Sequence, residues 1–114
     1  MKIQITPLAQ QKLKESLGNQ PGFFKFFFDT DGCGCDGITV LLITDEPDNG
    51  DIEIDAGSLP FIINAQQAIF YEELMILDVE RNYPSYKLSS DSTIYSSNVK
   101  TRDMRVNDTT SKLL

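Results

Sequence analysis

Cys33 and Cys35 are the two residues of this chain whose type and spacing most directly suggest chemistry. They lie in the segment 29–37, Asp-Thr-Asp-Gly-Cys-Gly-Cys-Asp-Gly. The glycine between them lets the backbone bend, so that both sulfur atoms can converge on one ion. Thiolates are soft ligands that suit iron–sulfur clusters, copper(I) or zinc. The pattern therefore predicts Cys33 and Cys35 as metal ligands and as ligands of a bound cofactor.

Other interpretations of the same segment stay open at this point. Asp and Gly favour turns for local reasons, so the segment also fits a hairpin turn with two incidental cysteines. A redox pair is disfavoured, because Asp29, Asp31 and Asp36 oppose thiolate formation. A bound cation would reverse that effect, since it lowers the pKa of a thiol and tolerates nearby carboxylates. A calcium loop is disfavoured because a cysteine occupies an oxygen-ligand position.

The composition excludes several classes of function. The 114 residues include no His, which removes imidazole-based catalysis and imidazole metal ligands. Two cysteines cannot complete a four-thiolate site within one chain. No pair of carboxylates or tyrosines has a spacing typical of acid–base catalysis. We therefore expect a protein that is not an enzyme.

The charge of the chain bears on its partners. Seventeen acidic residues against ten basic ones give a net charge of -7 and an isoelectric point near 4.4. Such a field repels polyphosphates, so nucleic acid is not an expected partner. No apolar run approaches the roughly 20 residues of a membrane span, and the first residues do not resemble a secretory signal. We expect a cytoplasmic protein that does not bind membranes.

Two apolar segments must position the cysteines. The aromatic run Phe23–Phe28 is typical of a strand buried on both faces, and the β-branched run Ile38–Thr44 is typical of a second strand. Because the two runs flank segment 29–37, we expect them to pair as a hairpin. A second acid-rich turn follows and is predicted to be a solvated hairpin rather than a cation site; its acids are Asp45, Glu46, Asp48, Asp51, Glu53 and Asp55.

The first helix is marked at both ends. Thr6 is a candidate N-cap whose hydroxyl can accept a backbone N–H, and Pro7 suits the first helical position. Gly18 can end the helix in a left-handed conformation. Ala9, Leu13 and Leu17 recur at helical spacing and form the apolar face of the helix. A short strand that includes Ile3 is expected before the helix.

The remaining elements predict a small α+β domain with about six or seven short strands. Asn64 and Gln67 resemble a capping box, which predicts a short second helix over 65–71. Residues 1–88 are predicted to form the core domain, and the polar residues 89–114 a tail that is either flexible or docked. Further strands are expected at 51–55, 59–63, 74–79 and 86–88.

The order of these elements resembles the A-type iron–sulfur carriers, also called HesB/IscA-like proteins. Phe26–Gly34 is similar to that family's strand leading into its first cysteine loop, and Val40–Pro47 is similar to the strand and acidic turn that follow. The resemblance covers about residues 3–88. It implies a HesB-like fold in which Cys33 corresponds to the first family cysteine, whereas Cys35 stands where the family usually has glycine.

The resemblance also implies a function in iron–sulfur cluster biosynthesis, with iron or a cluster as the cargo. The family has a C-terminal Cys-Gly-Cys pair, but the corresponding residues 95–99 contain no cysteine. A cluster usually takes four protein ligands, so two chains of a homodimer would share it. Expected partners are assembly proteins or recipient apo-proteins. The alternative is an interaction or regulatory module that kept the fold and lost cluster binding.

Overall fold

The structure, a computed structural model, describes residues 1–18, 20–29, 38–82 and 85–105. These residues form one α-helix, one short 3₁₀ helix and nine β-strands, which is an α+β architecture. The helix α1 spans Pro7–Leu17 and the 3₁₀ helix spans Gln67–Phe70. The strands β1 to β9 are, in chain order, Lys2–Ile5, Phe23–Asp29, Ile38–Thr44, Asp51–Ile54, Phe61–Asn64, Leu74–Val79, Tyr86–Ser89, Ile94–Val99 and Thr101–Asp103.

The described strands form two sheets. One sheet has four strands in the order β1-β6-β7-β8, and the other has five in the order β4-β5-β2-β3-β9. Strands β2 and β3 pair antiparallel from Phe23 opposite Thr44 to Asp29 opposite Ile38. The predicted pairing around the cysteine segment is therefore confirmed. This hairpin sits inside its sheet, with β5 on one side and β9 on the other.

The core lies where the alternating apolar residues of the strands meet helix α1. Phe24, Phe26 and Phe61 are buried, and the Phe61 ring lies 5.1 Å from that of Phe24 and 5.5 Å from that of Phe26. Leu13 of the helix belongs to the same buried cluster. Burial of each such side chain contributes about 2 kcal/mol to folding. The aromatic run of β2 is therefore primarily structural, and it anchors the hairpin in the domain.

Helix α1 begins and ends as the sequence predicted, but its caps differ. The Thr6 hydroxyl donates a hydrogen bond to Asp78 of β6 (2.8 Å) and accepts none from the helix. Gly18 ends the helix at a φ of 63°. The carbonyls of the last turn are bound by Arg105, whose guanidinium lies 3.0 Å from Leu17 O and 3.2 Å from Ser16 O. Such carbonyls lack partners inside a helix, so Arg105 takes over the role of a C-cap.

The second predicted helix is only one turn long. Asn64 accepts a hydrogen bond from the Gln66 amide (2.8 Å), as a cap would, but the turn is a 3₁₀ helix over Gln67–Phe70. Gln67 does not reach back to complete the capping box. Its side chain binds strand β2 instead, so tertiary pairing replaces the local cap.

The predicted division at residue 88 does not coincide with a structural boundary. Strand β8 pairs antiparallel with β7 of the first sheet, and β9 pairs parallel with β3 of the second. Val99 is fully buried, and the Leu41 amide donates to the Lys100 carbonyl (2.9 Å). The segment 94–103 thus joins the two sheets. Residues 106–114, the rest of the predicted tail, lie outside the described residues.

Candidate functional site: the base of the cysteine hairpin

The predicted ligands Cys33 and Cys35 lie outside the described residues, but the strand ends that carry their segment are described. Asp29, the last residue of β2, is paired with Ile38, the first residue of β3. The cysteine segment therefore begins and ends at adjacent points of one sheet. Three side chains from other elements hold these two strand ends, and together they form what we call the hairpin base: Gln67, Tyr71 and Arg102.

Gln67 binds the backbone of β2 next to the cysteine segment. Its Oε1 accepts a hydrogen bond from the Phe28 amide (3.0 Å), and its Nε2 donates to the Phe28 carbonyl (3.3 Å). Strand β5 pairs with β2 only as far as Phe26. The side-chain amide of Gln67 therefore continues the pairing where the neighbouring strand has ended. It satisfies both polar groups of one backbone residue.

Tyr71 holds the opposite strand. Its hydroxyl and that of Thr39, the second residue of β3, lie 2.8 Å apart. Burial raises the pKa of Tyr71, and the Thr39 hydrogen bond opposes that shift. The Tyr71 ring lies 5.5 Å from that of Tyr95, and the Phe28 ring lies 5.1 Å from that of Phe70. Two pairs of aromatic rings therefore accompany the polar contacts that the hairpin base makes with each strand.

Arg102 adds a charged contact. Its guanidinium donates to the Asp29 carboxylate at 3.0 Å, which links β9 to the last residue before the cysteine segment. The Arg102 side chain is 47% exposed and that of Asp29 is 14% exposed. An ion pair with so much solvent contact stabilises folding by less than about 1 kcal/mol. Its main consequence is positional, since it fixes where β2 ends relative to β9.

A groove of about 460 Å³ opens beside the hairpin base. Apolar side chains line it on the β2–β3 side, and polar and cationic ones line it on the β8–β9 side. Six of the lining residues are Phe28, Ile38, Ser96, Asn98, Lys100 and Arg102. The resemblance had matched residues 95–99 to the C-terminal cysteine region of the family. The groove places part of that segment next to the start of β3, with hydroxyl and amide groups in the positions of Ser96 and Asn98.

Tyr95, which lines the groove, contacts a carboxylate that already has hydrogen-bond partners. Glu72 accepts hydrogen bonds from Ser90, from Ser92 (2.8 Å) and from the Tyr95 hydroxyl (3.2 Å). These bonds, that of Ser90 foremost, lower the pKa of Glu72. Three hydroxyl groups therefore stabilise the ionised form of this carboxylate. Lys100 is exposed and forms no ion pair with the other described residues.

The second acid-rich turn is built differently from its prediction. The Lys25 ammonium lies 3.0 Å from Asp51 Oδ1 and 3.2 Å from Asp48 Oδ2, and the Asp51 side chain is fully buried. Burial lowers the pKa of Lys25, but the hydrogen bonds and charges of the two carboxylates raise it above its ordinary value. The prediction of a solvated hairpin is therefore wrong for Asp51.

The described part of the chain contains no group of three or more potential metal ligands among its His, Cys, Asp and Glu side chains. Both cysteines lie outside the described ranges. Within those same ranges, no helix combines the length and apolar character needed to cross a lipid bilayer.

Comparison with known proteins identifies the family. Residues 1–103 match the family described as Iron-sulphur cluster biosynthesis, and the chain belongs to that family. The resemblance inferred from the sequence is thereby confirmed, and the match extends through β8 and β9. The chain is also 24% identical over 99 residues to the uncharacterized protein YqkB of Bacillus subtilis, which covers 84% of this chain and 92% of YqkB.

Solved structures confirm the fold. A candidate Fe-S biosynthesis protein of Lactobacillus salivarius aligns with a TM-score of 0.78 at 18% identity, over 93% of this chain and 100% of that one. SufA of Escherichia coli, which is involved in biosynthesis of iron-sulfur clusters, aligns with a TM-score of 0.59 at 19% identity. That alignment covers 79% of this chain and 86% of SufA.

Sequence reasoning missed the residues that surround the cysteine segment. The sequence pattern predicts a helix cap at Gln67 and places Lys100 and Arg102 in a polar tail. The local signal is the group of cations at 100, 102 and 105 in a polar segment. That signal is too short to predict an edge strand, because β9 has three residues and all are exposed.

Proposed function

We propose that this protein acts in iron–sulfur cluster biosynthesis as a non-enzymatic carrier or scaffold that holds iron or a cluster through Cys33 and Cys35. Two chains would share one cluster as a homodimer, since one chain provides two thiols and a [2Fe–2S] cluster generally takes four protein ligands. Its partners would be assembly proteins and recipient apo-proteins. A cytoplasmic location is part of the proposal, because reduced thiols persist in that compartment.

The observation that carries the proposal is the construction of the hairpin base. The two strand ends flanking the cysteines are paired with each other and bound by Gln67, Tyr71 and Arg102. A loop whose ends are fixed can present ligands at a defined place while remaining accessible to a partner. Membership of the Iron-sulphur cluster biosynthesis family supports the same function.

The direct test is anaerobic reconstitution of the protein with iron and sulfide. We expect thiolate-to-iron charge-transfer absorption, one cluster for two chains, and a dimer in size-exclusion chromatography. Both Cys33→Ser and Cys35→Ser should lose the absorption. Met104→Leu is the control, because it removes an exposed sulfur atom outside the hairpin base. A colourless wild-type protein without bound iron would refute the proposal.

The alternative function is a non-metal interaction module that kept the fold. The lack of cysteine in 95–99 favours it, because that is the segment matched to the family's second ligand pair. A pull-down from the native extract, with wild-type protein and with the double variant Cys33→Ser/Cys35→Ser, decides between the two functions. A partner that binds both proteins supports the interaction module, whereas a partner that binds only the wild type supports the carrier.

A further inference from the structure

The groove beside the hairpin base follows an edge of β3 with which no described strand pairs. Strand β9 pairs with β3 from Leu41 onward, where the Leu41 amide donates to the Lys100 carbonyl (2.9 Å). The three residues of β3 before Leu41 line the groove, and Ser96 and Asn98 of β8 line its other wall. The groove is therefore a wedge that opens where β3 and β8, which meet at Lys100, separate into different sheets.

The backbone of Thr39 faces this wedge. Thr39 lies opposite Phe28 in the β2–β3 pairing, and both backbone polar groups of Phe28 bind the Gln67 side chain on the β5 side of β2. Thr39 and Phe28 therefore form a non-hydrogen-bonded pair, in which each residue directs its N–H and C=O away from the other strand. The Leu41 amide, two positions on, is likewise directed toward Lys100. One donor and one acceptor of Thr39 thus point into the groove.

An unpaired strand edge of this kind is a template for another extended chain. Main-chain hydrogen bonds give such an added strand its affinity, and its alternate side chains give it specificity. Phe28 and Ile38 lie on opposite faces of the sheet, so the groove offers apolar contact to side chains on both faces. Its volume of about 460 Å³ lies within the range of roughly 300–1,000 Å³ that is typical of ligand sites. The groove therefore suits a short extended peptide segment.

Two cations select the charge of that segment. Lys100 and Arg102 line the groove in a chain whose net charge is -7. Lys100 is exposed and forms no ion pair within the described ranges. Arg102 uses one nitrogen on Asp29, and the other N–H donors of its guanidinium remain for a ligand. Carboxylates are the matching partners for both cations, so the complementary segment is acidic.

We propose that this groove binds an acidic, extended segment of a partner protein. The segment adds as a strand to the edge of β3 at Thr39 and places carboxylates at Lys100 and Arg102. A basic segment is repelled by the same two cations, so the groove discriminates between partners by charge. Such docking goes beyond the proposed function, because it involves neither cysteine and no bound iron.

The first experiment titrates iron-free protein with a short peptide of alternating Glu and Val, blocked at both ends, and follows the amide NMR shifts of the protein. We expect saturable shifts at Thr39 and Ser96. Binding should be weaker by roughly tenfold in Lys100→Gln, the typical effect of losing one charge-assisted hydrogen bond. Lys2→Gln is the matched control, because Lys2 is an exposed lysine of β1, at the opposite edge of the four-stranded sheet from β8. No saturable shift in wild type, or equal binding of a peptide of alternating Lys and Val, would overturn the inference.

The second experiment separates strand addition from attraction between charges alone. The same acidic peptide carries N-methyl groups on its central residues, which removes main-chain donors and keeps the carboxylates. We expect it to bind weaker by roughly tenfold, and we expect the unmethylated peptide to slow hydrogen exchange at the Thr39 amide. Equal binding of the two peptides would contradict strand addition. Shifts at the groove that grow with protein concentration, without peptide, would identify a second copy of the chain as the occupant and would also contradict the proposal.

Discussion

Two acid-rich segments of the sequence flank the same strand, β3, and the described residues beside them arrange their charges in opposite ways. At the β3–β4 turn, the buried Lys25 ammonium pairs with the buried Asp51 carboxylate and with the exposed Asp48, so the one buried acid has a cation beside it inside the domain. At the hairpin base, Asp29 is paired with an exposed arginine, and Lys100 has no acidic partner among the described residues. The first arrangement serves folding, and the second leaves charge available at the surface.

This difference shows why acid content alone did not separate structure from function. Both segments are rich in Asp, and both connect to the same apolar strand. The feature that separates them is the neighbouring cation: a buried lysine from β2 in one case and exposed cations from the β8–β9 segment in the other. Variants of the Lys25 ion pair at the β3–β4 turn should therefore change stability alone, whereas variants at the hairpin base should also change iron retention.

Lys25→Met should have the largest effect on stability. It leaves the buried Asp51 carboxylate without its cation, which costs about 3 kcal/mol of unfolding free energy. Urea denaturation measures this, with Lys87→Met on an exposed position of β7 as the control, expected within about 0.5 kcal/mol of wild type. Iron retained by the folded fraction should not change. A loss of iron in Lys25→Met would remove the distinction between the two turns.

The pH dependence of the same pair has a defined sign. The pKa of Lys25 is raised in the folded protein above its ordinary value of 10.5. Its contribution is therefore fully present below pH 10.5 and is lost as the pH rises through the folded-state pKa. Wild type should lose stability above that pH more steeply than Lys25→Met. Parallel curves would show that the ion pair does not stabilise the fold.

Gln67→Leu should have the next largest effect. It removes both hydrogen bonds to the Phe28 backbone and leaves that amide and carbonyl without a partner, at a cost of about 2 kcal/mol. Iron retention should fall as well, because β2 is released next to the cysteines. Gln66→Leu, at the exposed neighbouring position, is the control for both measurements. Unchanged iron retention in folded Gln67→Leu would argue against a positioning role.

Thr39→Val should cost about 1 kcal/mol, since it removes the hydrogen bond to Tyr71. Burial raises the pKa of Tyr71, and the hydrogen bond with Thr39 lowers it. The pKa should therefore rise further in the variant, which an ultraviolet absorbance titration of the tyrosine measures. Thr44→Val is a matched control in the same strand, because the buried Thr44 hydroxyl has no hydrogen-bond partner within the described structure. A Tyr71 pKa that falls in Thr39→Val would contradict the assigned contact.

Arg102→Gln should have the smallest effect on stability, about 0.5 kcal/mol, because its pair with Asp29 is largely exposed. Arg102→Gln should lose bound iron although its unfolding free energy is almost unchanged, whereas Lys25→Met should lose stability and keep its iron. Denaturation and iron analysis on the same preparations measure both quantities. An Arg102→Gln protein that is strongly destabilised but binds iron normally would show that the pair with Asp29 serves folding, as the Lys25 pair does, and not iron binding.

Much of the fold could be predicted from local patterns. The helix boundaries at Pro7 and Gly18, the runs that became β2 and β3, and the strand at 74–79 all follow from residue spacing and composition. Strands β8 and β9 could not be predicted in the same way. They are edge strands with mainly polar or exposed residues, so their pairing depends on the strands beside them.

The candidate site divides along the same line. The sequence by itself determined which residues can bind soft metals and that one chain supplies only two of them, since these are properties of composition. Only the tertiary structure decided that Gln67, Tyr71 and Arg102 meet at the base of the cysteine hairpin, and that Lys100 lies beside it. The reason is physical: these contacts join residues 32 to 73 positions apart, and such contacts form only after both sheets are in place.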